Sequence, residues 1–433
     1  NYATKPMESY LPILILFVLF LLNIPIAFSL IASAMVYFLF INDSIPVSLV
    51  MQRFISSTES FPLLAIPFFI MVGSVMNYAG ISKSLLAFAD SMIGHKTGGL
   101  AQVNVALSTL MGGISGSANA DAAMQSKILA PEMTKRGYDL PFTAAVTAAS
   151  SSISPVIPPG INLIIFALLA NVSVHQMFIA GYVPAFLMAL SLMVTIAFIA
   201  RKRRYKPSRS EPASAKERFH YFLKAIPALL IPFGIILGMR FGLFTPTEAG
   251  AIAVLLCAII GIFVYRQLGL RHIPLIMRET VQGTSSVMFI IIGAMVFGYY
   301  MTLEQIPHNV ASALIELTDN KLLLLLLINV LLLVVGMFIE GGAAMIILTP
   351  LLLPAVLNLG VNPVHFGIIV IVNIMIGGVT PPFGSMIFTV CSILKVRMVD
   401  FVKEVVPLLL ALLSVLMLLT FSESLVMFLP NLL

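Results

Sequence analysis

The chain has 433 residues, of which 60% are hydrophobic and 10% charged. That excludes an ordinary soluble globular protein, in which about a quarter of residues carry charge. The formal net charge is +6, and its placement says more than its size. Several apolar runs approach or exceed the roughly 20 residues that a helix needs to cross a bilayer. The alternating pattern of a membrane β-barrel is absent. The fold class is therefore an all-α polytopic membrane protein. Cys257 and Cys391 both lie in apolar runs and read as small hydrophobes, with neither a disulfide framework nor metal spacing. The six histidines are scattered, mostly at helix ends, and suggest no metal site. With no tryptophan, Tyr10, Tyr182, Tyr221 and Tyr265 supply any aromatic belt. The chain starts at Asn1 with no cleavable leader pattern, which suits a processed end or a cut inside a longer precursor.

In chain order, residues 8–22 cross inward, turn at Asn-Ile-Pro (23–25), and 24–41 cross outward. A single tilted helix over 11–41 is the competing reading. Residues 62–79 cross inward. A hairpin of 100–111 and 118–130 is flanked by His95, Lys96, Lys135 and Arg136, so it opens to the cytoplasm. Residues 141–171 leave the cytoplasm and 176–200 return. "RKRRYKPSRSEPASAKERFHYFLK" (201–224) then carries nine Lys/Arg against two Glu. The positive-inside rule makes it cytoplasmic, with 201–219 a hydrophilic linker between two halves. A nucleic-acid patch is the weaker reading, since basic loops beside membrane helices are expected. Residues 220–239 cross outward, 246–265 return to Arg266, Arg271 and Arg278, and 283–301 cross outward. The arms 321–339 and 343–359, separated by "EGGAA" (340–344), form a hairpin that opens outside. Residues 364–394 cross inward to Lys395 and Arg397, and 402–425 leave the C-terminus on the periplasmic side.

The halves match at a fixed offset. Pro131, Gly137, Pro158, Pro159 and Pro184 recur as Pro354, Gly360, Pro381, Pro382 and Pro407, each 223 positions on, as do Gly113 and Gly336. Because the two hairpins open to opposite sides, the repeat is inverted. The expected organisation is a first repeat over 1–200, with spanning helices in 8–79 and the hairpin-bearing part in 85–200. The linker 201–219 follows. A second repeat occupies 220–433, with spanning helices in 220–301 and its hairpin-bearing part in 320–433. This gives about 10 spanning helices plus two re-entrant hairpins. Inverted repeats with interrupted helices are typical of secondary transporters, whose sites lie at the interruptions.

Each half carries two interruptions: "GGISGSANAD" (112–121) and "SSSISPVIPPG" (150–160), then "EGGAA" and "GGVTPPFG" (377–384). Irregular backbone at membrane depth survives only where protein or water satisfies it. Proline frees a carbonyl one turn back, and glycine lets backbone approach a ligand. Freed carbonyls with Ser, Thr and Asn oxygens suit Na⁺, and half-helix N-termini suit a carboxylate. The candidate sodium and substrate residues are Ser115, Gly116, Ser117, Asn119, Asp121, Ser154, Pro158, Gly160, Glu340, Gly341, Gly342, Thr380, Pro381 and Gly384. Asp121 and Glu340 are acids deep in apolar sequence; Asp121 is either an ion ligand or the cap of the second hairpin arm. Lys127 snorkels or pairs with an acid. "GISG" (113–116) also fits the motif of an intramembrane serine protease, whose base would have to be a histidine, His365 being the best placed. That reading is the remote one, since the repeat pairs the motif with the non-catalytic "EGGAA". No enzyme activity is expected, no metal other than Na⁺, and no organic cofactor.

At these motifs the sequence resembles the large membrane subunit of tripartite ATP-independent periplasmic (TRAP) transporters. The matching stretches are "LLAIPFFIMVGSVMN" (63–77), "SGSANAD" (115–121), "PVIPPG" (155–160), "GLFTPTEAGAIAVL" (242–255) and "TPPFG" (380–384). The resemblance implies Na⁺-driven import of an organic acid across the bacterial inner membrane. It implies two partners besides substrate, Na⁺ and lipid: a small four-helix membrane subunit, separate or fused upstream, and a soluble periplasmic binding protein. No nucleic acid is involved. It also implies an elevator-type fold, in which hairpins and broken helices, the transport parts in 85–200 and 320–433, move against scaffold helices in 8–79 and 220–301. Among possible substrates a sugar acid, sialic acid first, stands ahead of a C4-dicarboxylate, on likeness to sialic-acid systems. A stand-alone anion/Na⁺ symporter or a channel is the alternative. The chain departs from many members at Gly160, where they have Ser, and at Glu340, where they have Asp.

Overall fold

The computed structural model describes residues 9–22, 24–42, 45–56, 59, 61–209, 211–318 and 320–432. Among these, all regular structure is helical. Lipid offers no hydrogen bonds, so each segment must satisfy its own backbone, which helices do. Seven helices among the described residues are individually long and apolar enough to cross a membrane. Other apolar runs are interrupted and fall below that length as single helices.

The first run is two helices, Leu11–Leu21 and Ile26–Val36, not one. Pro25 separates them because its ring excludes a preceding helical turn. At 11 residues, Leu11–Leu21 is about 16 Å long and too short to cross the bilayer by itself. Ile26–Val36 continues as a wider π-turn over Tyr37–Ile41.

Four helices pack as one group: Ile26–Val36, Ala65–Ala79, Pro246–Ile259 and Ile273–Leu303. Small residues set their spacing. A Cβ on Gly250 would lie 2.8 Å from that of Phe68, and one on Gly293 would lie 3.0 Å from the Ala27 carbonyl oxygen. Tyr37, Phe38, Phe297 and Tyr300 form a separate buried cluster at one end of this group. The Glu304 carboxylate ties it down, accepting from the Tyr37 hydroxyl at 2.5 Å and the Ser9 hydroxyl at 2.6 Å.

Two further helices were not apparent from hydropathy. Ala65–Ala79 ends at Gly80 (φ +78°), where the chain bends by 71° into Ile81–Ile93. This helix packs against the first arm of the first hairpin, Gly99–Ser115, whereas Ile306–Leu317 packs against the second arm of the second, Gly341–Asn358.

The first hairpin is Gly99–Ser115 with Ala118–Ile128, and the second is Lys321–Phe338 with Gly341–Asn358. The first broken helix is Leu140–Ser151 with Ile161–Leu169, and the second is Pro363–Gly377 with Ser385–Leu394. Both breaks carry a cis bond between their paired prolines, Pro158–Pro159 and Pro381–Pro382. Each hairpin lies on the broken helix of its own half through a glycine. A Cβ on Gly112 would come 2.8 Å from Ser154 Cα, and one on Gly377 would come 2.8 Å from Gly336 Cα. Buried amides reinforce both contacts. Asn104 donates to Thr147 Oγ1 at 3.0 Å and accepts from Ser150 Oγ at 2.7 Å. Asn373 donates to Asn329 Oδ1 at 2.8 Å. The halves also interlock: Ala118–Ile128 packs on Ser385–Leu394, and Gly341–Asn358 packs on Ile161–Leu169. Val174–Arg203 and Met398–Phe421 complete this second group, with Arg203 paired to Glu404 at 2.8 Å.

The basic segment after Arg203 is pinned rather than loose. Tyr205 stacks on Tyr138 with ring centroids 4.6 Å apart. Burial pushes the Tyr138 phenol up to about 12, so it stays protonated and donates to the Lys206 carbonyl at 3.1 Å. Past Pro207, the Ser208 hydroxyl donates to Asp90 at 2.6 Å, and Arg209 bridges Asp90 at 2.8 Å and Glu217 at 2.6 Å.

Candidate functional site

The two hairpin tips face each other across a cavity of about 130 Å³. The first tip is a two-residue turn. Gly116 ends the first arm in the left-handed conformation (φ +58°), and its N–H donates to the Gly112 carbonyl at 3.1 Å. Ser117 starts the second arm, its Oγ accepting from the Ala120 N–H at 3.4 Å. The second tip is built alike: Glu340 caps Gly341–Asn358, its Oε2 accepting from the Ala343 N–H at 3.4 Å.

Gly116, Ser117, Asn119, Glu340, Gly341 and Gly342 line this cavity. The other candidates stand behind it or outside the described atoms. Ser115 closes the first arm, and its side chain lies outside the described residues. Ser154 is buried, its hydroxyl donating to the Ser108 carbonyl at 3.3 Å. Pro158, Gly160, Thr380, Pro381 and Gly384 form the breaks themselves. Gly160 and Gly384 are required by close packing: a Cβ would lie 2.5 Å from the Pro155 carbonyl oxygen and 2.3 Å from that of Gly378. Thr380 turns inward on its own helix, donating to the Ile376 carbonyl at 2.8 Å.

Asp121 is not the cap of its helix; Ser117 is. The Asp121 side chain reaches across the hairpin, where Oδ2 accepts from Ser108 Oγ at 2.7 Å and from Gln125 Nε2 at 2.9 Å. It is 1% exposed, and its Oδ1 has no partner among the described residues. Lys127 is exposed and holds no acid among the described residues; it lines a second, wider cavity of about 970 Å³. His365 does not line the tip cavity. It is buried, and its Nε2 bonds the Leu419 carbonyl at 2.8 Å.

Three residues belong with the site although the motifs did not single them out. Asn162 and Ser385 line the cavity at equivalent places, each in the first turn after a break. Thr389 donates to Asn119 Oδ1 at 3.3 Å, joining the first tip to the second broken helix. Their only signal was a lone polar residue early in an apolar half-helix.

Four helices begin at this cavity: Ala118–Ile128, Ile161–Leu169, Gly341–Asn358 and Ser385–Leu394. Gly160 and Gly384, as N-caps, offer no side chain to the first N–H groups. In Ser385–Leu394 the Met386 N–H is already taken by the Gly378 carbonyl at 3.1 Å and the Ile387 N–H by that of Gly384 at 3.0 Å. Each helix start also carries about half a positive charge. Among the described residues no lysine or arginine lines the cavity, so the helix ends are its positive elements.

Comparison with known proteins follows the same residues. The family model described as "Tripartite ATP-independent periplasmic transporter, DctM component" matches residues 13–425. The chain is similar to the sialic acid TRAP transporter large permease protein SiaM of Vibrio cholerae, with 38% identity over 95% of each chain. It is 37% identical to the C4-dicarboxylate TRAP transporter large permease protein DctM of Pseudomonas aeruginosa, over 92% of this chain and 93% of that one. Among solved structures it shares its fold with the Alcanivorax borkumensis YdaH transporter. The TM-score is 0.63 at 16% identity, covering 96% of this chain and 98% of that one. The chain belongs to the DctM family, as the large membrane permease subunit of a tripartite ATP-independent periplasmic transporter.

Proposed function

We propose that this subunit carries out Na⁺-coupled import of an organic acid across the bacterial inner membrane. A soluble periplasmic protein delivers the substrate, and a small four-helix membrane subunit stands beside the permease. The observation that carries the reading is the convergence of four helix N-termini on one cavity between the tips. Such ends bind a carboxylate without a side-chain cation. The likeness to SiaM favours a sugar acid, sialic acid first, over a C4-dicarboxylate.

The same region argues for a coupling cation. Asp121 is a buried acid without a cationic partner among the described residues, and Glu340 stands at the second tip. Two such acids near the cavity repel an anionic substrate until a cation offsets them. Na⁺ held by break carbonyls and by the oxygens of Ser115, Ser117, Asn119, Ser154 and Thr380 supplies that offset. It also orders the tips, so ion and substrate each raise the other's affinity.

The two halves form inverted repeats. Their equivalents are the glycine contacts and the amide clasps between each hairpin and its broken helix. The hairpins and broken helices move together as an elevator against the scaffold helices of 8–79 and 220–301. The wide cavity joins the tip cavity to Arg266 and Arg271, which the charge rule assigns to the cytoplasm. This arrangement is the inward-open one.

The test is uptake of labelled sialic acid into proteoliposomes holding both membrane subunits, with the binding protein outside. Ser117→Asp keeps a good helix cap but adds a negative charge to the tip. It is expected to cut Na⁺-driven uptake at least tenfold while the complex still purifies intact. Undiminished uptake in this variant sinks the site assignment. Equal wild-type rates in K⁺ without a Na⁺ gradient sink the coupling, and uptake without the binding protein favours a stand-alone symporter.

A further inference from the structure

We propose that the wide cavity beside the tips is a second carboxylate site, a vestibule that holds the organic acid after it leaves the helix N-termini. The inference rests on the transport reading above and adds residues to it. The cavity, about 970 Å³, shares Ser117, Ile161 and Val287 with the tip cavity, so the two are continuous. Its walls carry Lys83, Lys127, Arg266 and Arg271, all exposed.

None of these four cations pairs with a carboxylate within 4.0 Å among the described residues. The acid on the same wall, Glu279, is occupied by hydroxyls. Its Oε2 accepts from Ser74 Oγ at 2.5 Å and its Oε1 from the Tyr78 hydroxyl at 2.6 Å. Among the described residues Arg136, Arg203, Arg209, Lys321 and Arg397 hold a carboxylate at 3.3 Å or less, and the other basic residues do not, so it is the clustering on one cavity that sets these four apart. The positive-inside rule requires basic residues near the cytoplasmic face. It does not require four of them on one cavity that carries a single acid among its described residues. Arg266 is also held with φ +55°, a backbone conformation that side chains other than Asn and Asp seldom adopt.

A cleft in which Lys83, Lys127, Arg266 and Arg271 outnumber the single acid Glu279 carries a positive potential that concentrates anions. Lys127 stands on the same hairpin arm as Ser117, about 15 Å further along it. A carboxylate leaving the N-terminus at Ser117 therefore exchanges helix-end N–H groups for an ammonium and two guanidinium groups. Because the cations are exposed, the hold is weak and water-screened, and the anion passes on.

The test reads local potential and occupancy in the intact complex with its small subunit, in nanodiscs. Ala123 lines the vestibule. Ala123→Cys is made in a Cys257→Ala/Cys391→Ala background and labelled with a sulfonate or a trimethylammonium methanethiosulfonate. The anionic reagent is expected to react faster than the cationic one. Adding K127Q, R266Q and R271Q should lower the anionic-to-cationic rate ratio at least tenfold, and K127R, R266K and R271K should preserve it. Millimolar succinate or N-acetylneuraminate should slow labelling of the charged wall but not of the Gln variant, and mannitol should not slow either. A ratio indifferent to the three Gln substitutions, or no protection by either acid, overturns the proposal. Protection without Na⁺-driven uptake leaves the anion site standing and removes the transport reading instead.

Discussion

At Gly116 the backbone takes φ +58°, and a Cβ there would lie 3.2 Å from the Ile161 amide nitrogen. The residue therefore meets two separate demands, a left-handed turn and a close approach to the start of the first half-helix. Gly137 meets one only: its φ is +86°, but a Cβ would find nothing within 4 Å. The pair separates backbone strain from site geometry. Gly137→Ala should cost about 1 kcal/mol, the usual penalty for a side chain in the left-handed region. Na⁺-driven uptake should survive it. Gly116→Ala should cost at least as much and also push the tip from Ile161, lowering uptake tenfold or more. Thermal unfolding and uptake of both variants check this; equal uptake in the two would show that the approach to Ile161 is irrelevant to function.

At the scale of elements, the clasps between hairpins and broken helices decide how the second group holds together. Asn329 accepts from Asn373 at 2.8 Å and donates to Thr420 at 2.8 Å, with all three buried. Replacing one amide strands its partner away from water, a loss of about 1–3 kcal/mol. Replacing both removes the stranded group as well. Asn329→Leu and Asn373→Leu should each destabilise the protein by that amount, and the double variant by clearly less than their sum. Additive losses in a double-mutant cycle would mean that the two amides do not work as a pair. These clasps also mark what the sequence made legible. Gly and Pro act on their own backbone, so the tips at 116–117 and 339–340 and the breaks at 152–160 and 378–384 could be read locally. The length of an uninterrupted apolar run likewise located most helices to within a few residues. The braces Ile81–Ile93 and Ile306–Leu317 escaped because Lys83, Asp90, His308 and Glu316 dilute their apolar character. Asn162, Ser385 and Thr389 escaped because one polar residue in an apolar half-helix carries no address. Only the folded chain brings Asn119 to Thr389, and only it shows Asp121 bonded to Ser108 rather than capping its own helix.

For the whole molecule, the basic linker is where the halves are joined covalently, and its two ends are fastened to different helices. Tyr205 and Lys206 are held at Tyr138, beside the first hairpin and broken helix, while Ser208 and Arg209 are held at Asp90, on the helix that packs against the first hairpin, and Arg209 also at Glu217, in the first turn of Ala215–Arg240. Pro207 lies between the two attachments. The linker should therefore resist trypsin despite its many Lys and Arg residues, because cleavage requires the backbone to open. The Arg209 and Asp90 side chains are 24% and 26% exposed, so their pairing is worth about 1 kcal/mol at most. When opening is fast compared with cutting, cleavage follows the open population, and 1 kcal/mol raises that population about fivefold. Arg209→Gln should speed nicking between residues 201 and 209 by roughly that factor and leave the thermal midpoint almost unchanged. After nicking, the halves should stay together. Arg203 still pairs with Glu404, Phe166 still packs edge-on to Phe366 at 6.2 Å, and the tips still lie on the opposite half's broken helices. Co-purification of the two fragments by size exclusion checks this. Fragments that separate would mean that the linker, rather than the interlocked hairpins, holds the molecule as one body.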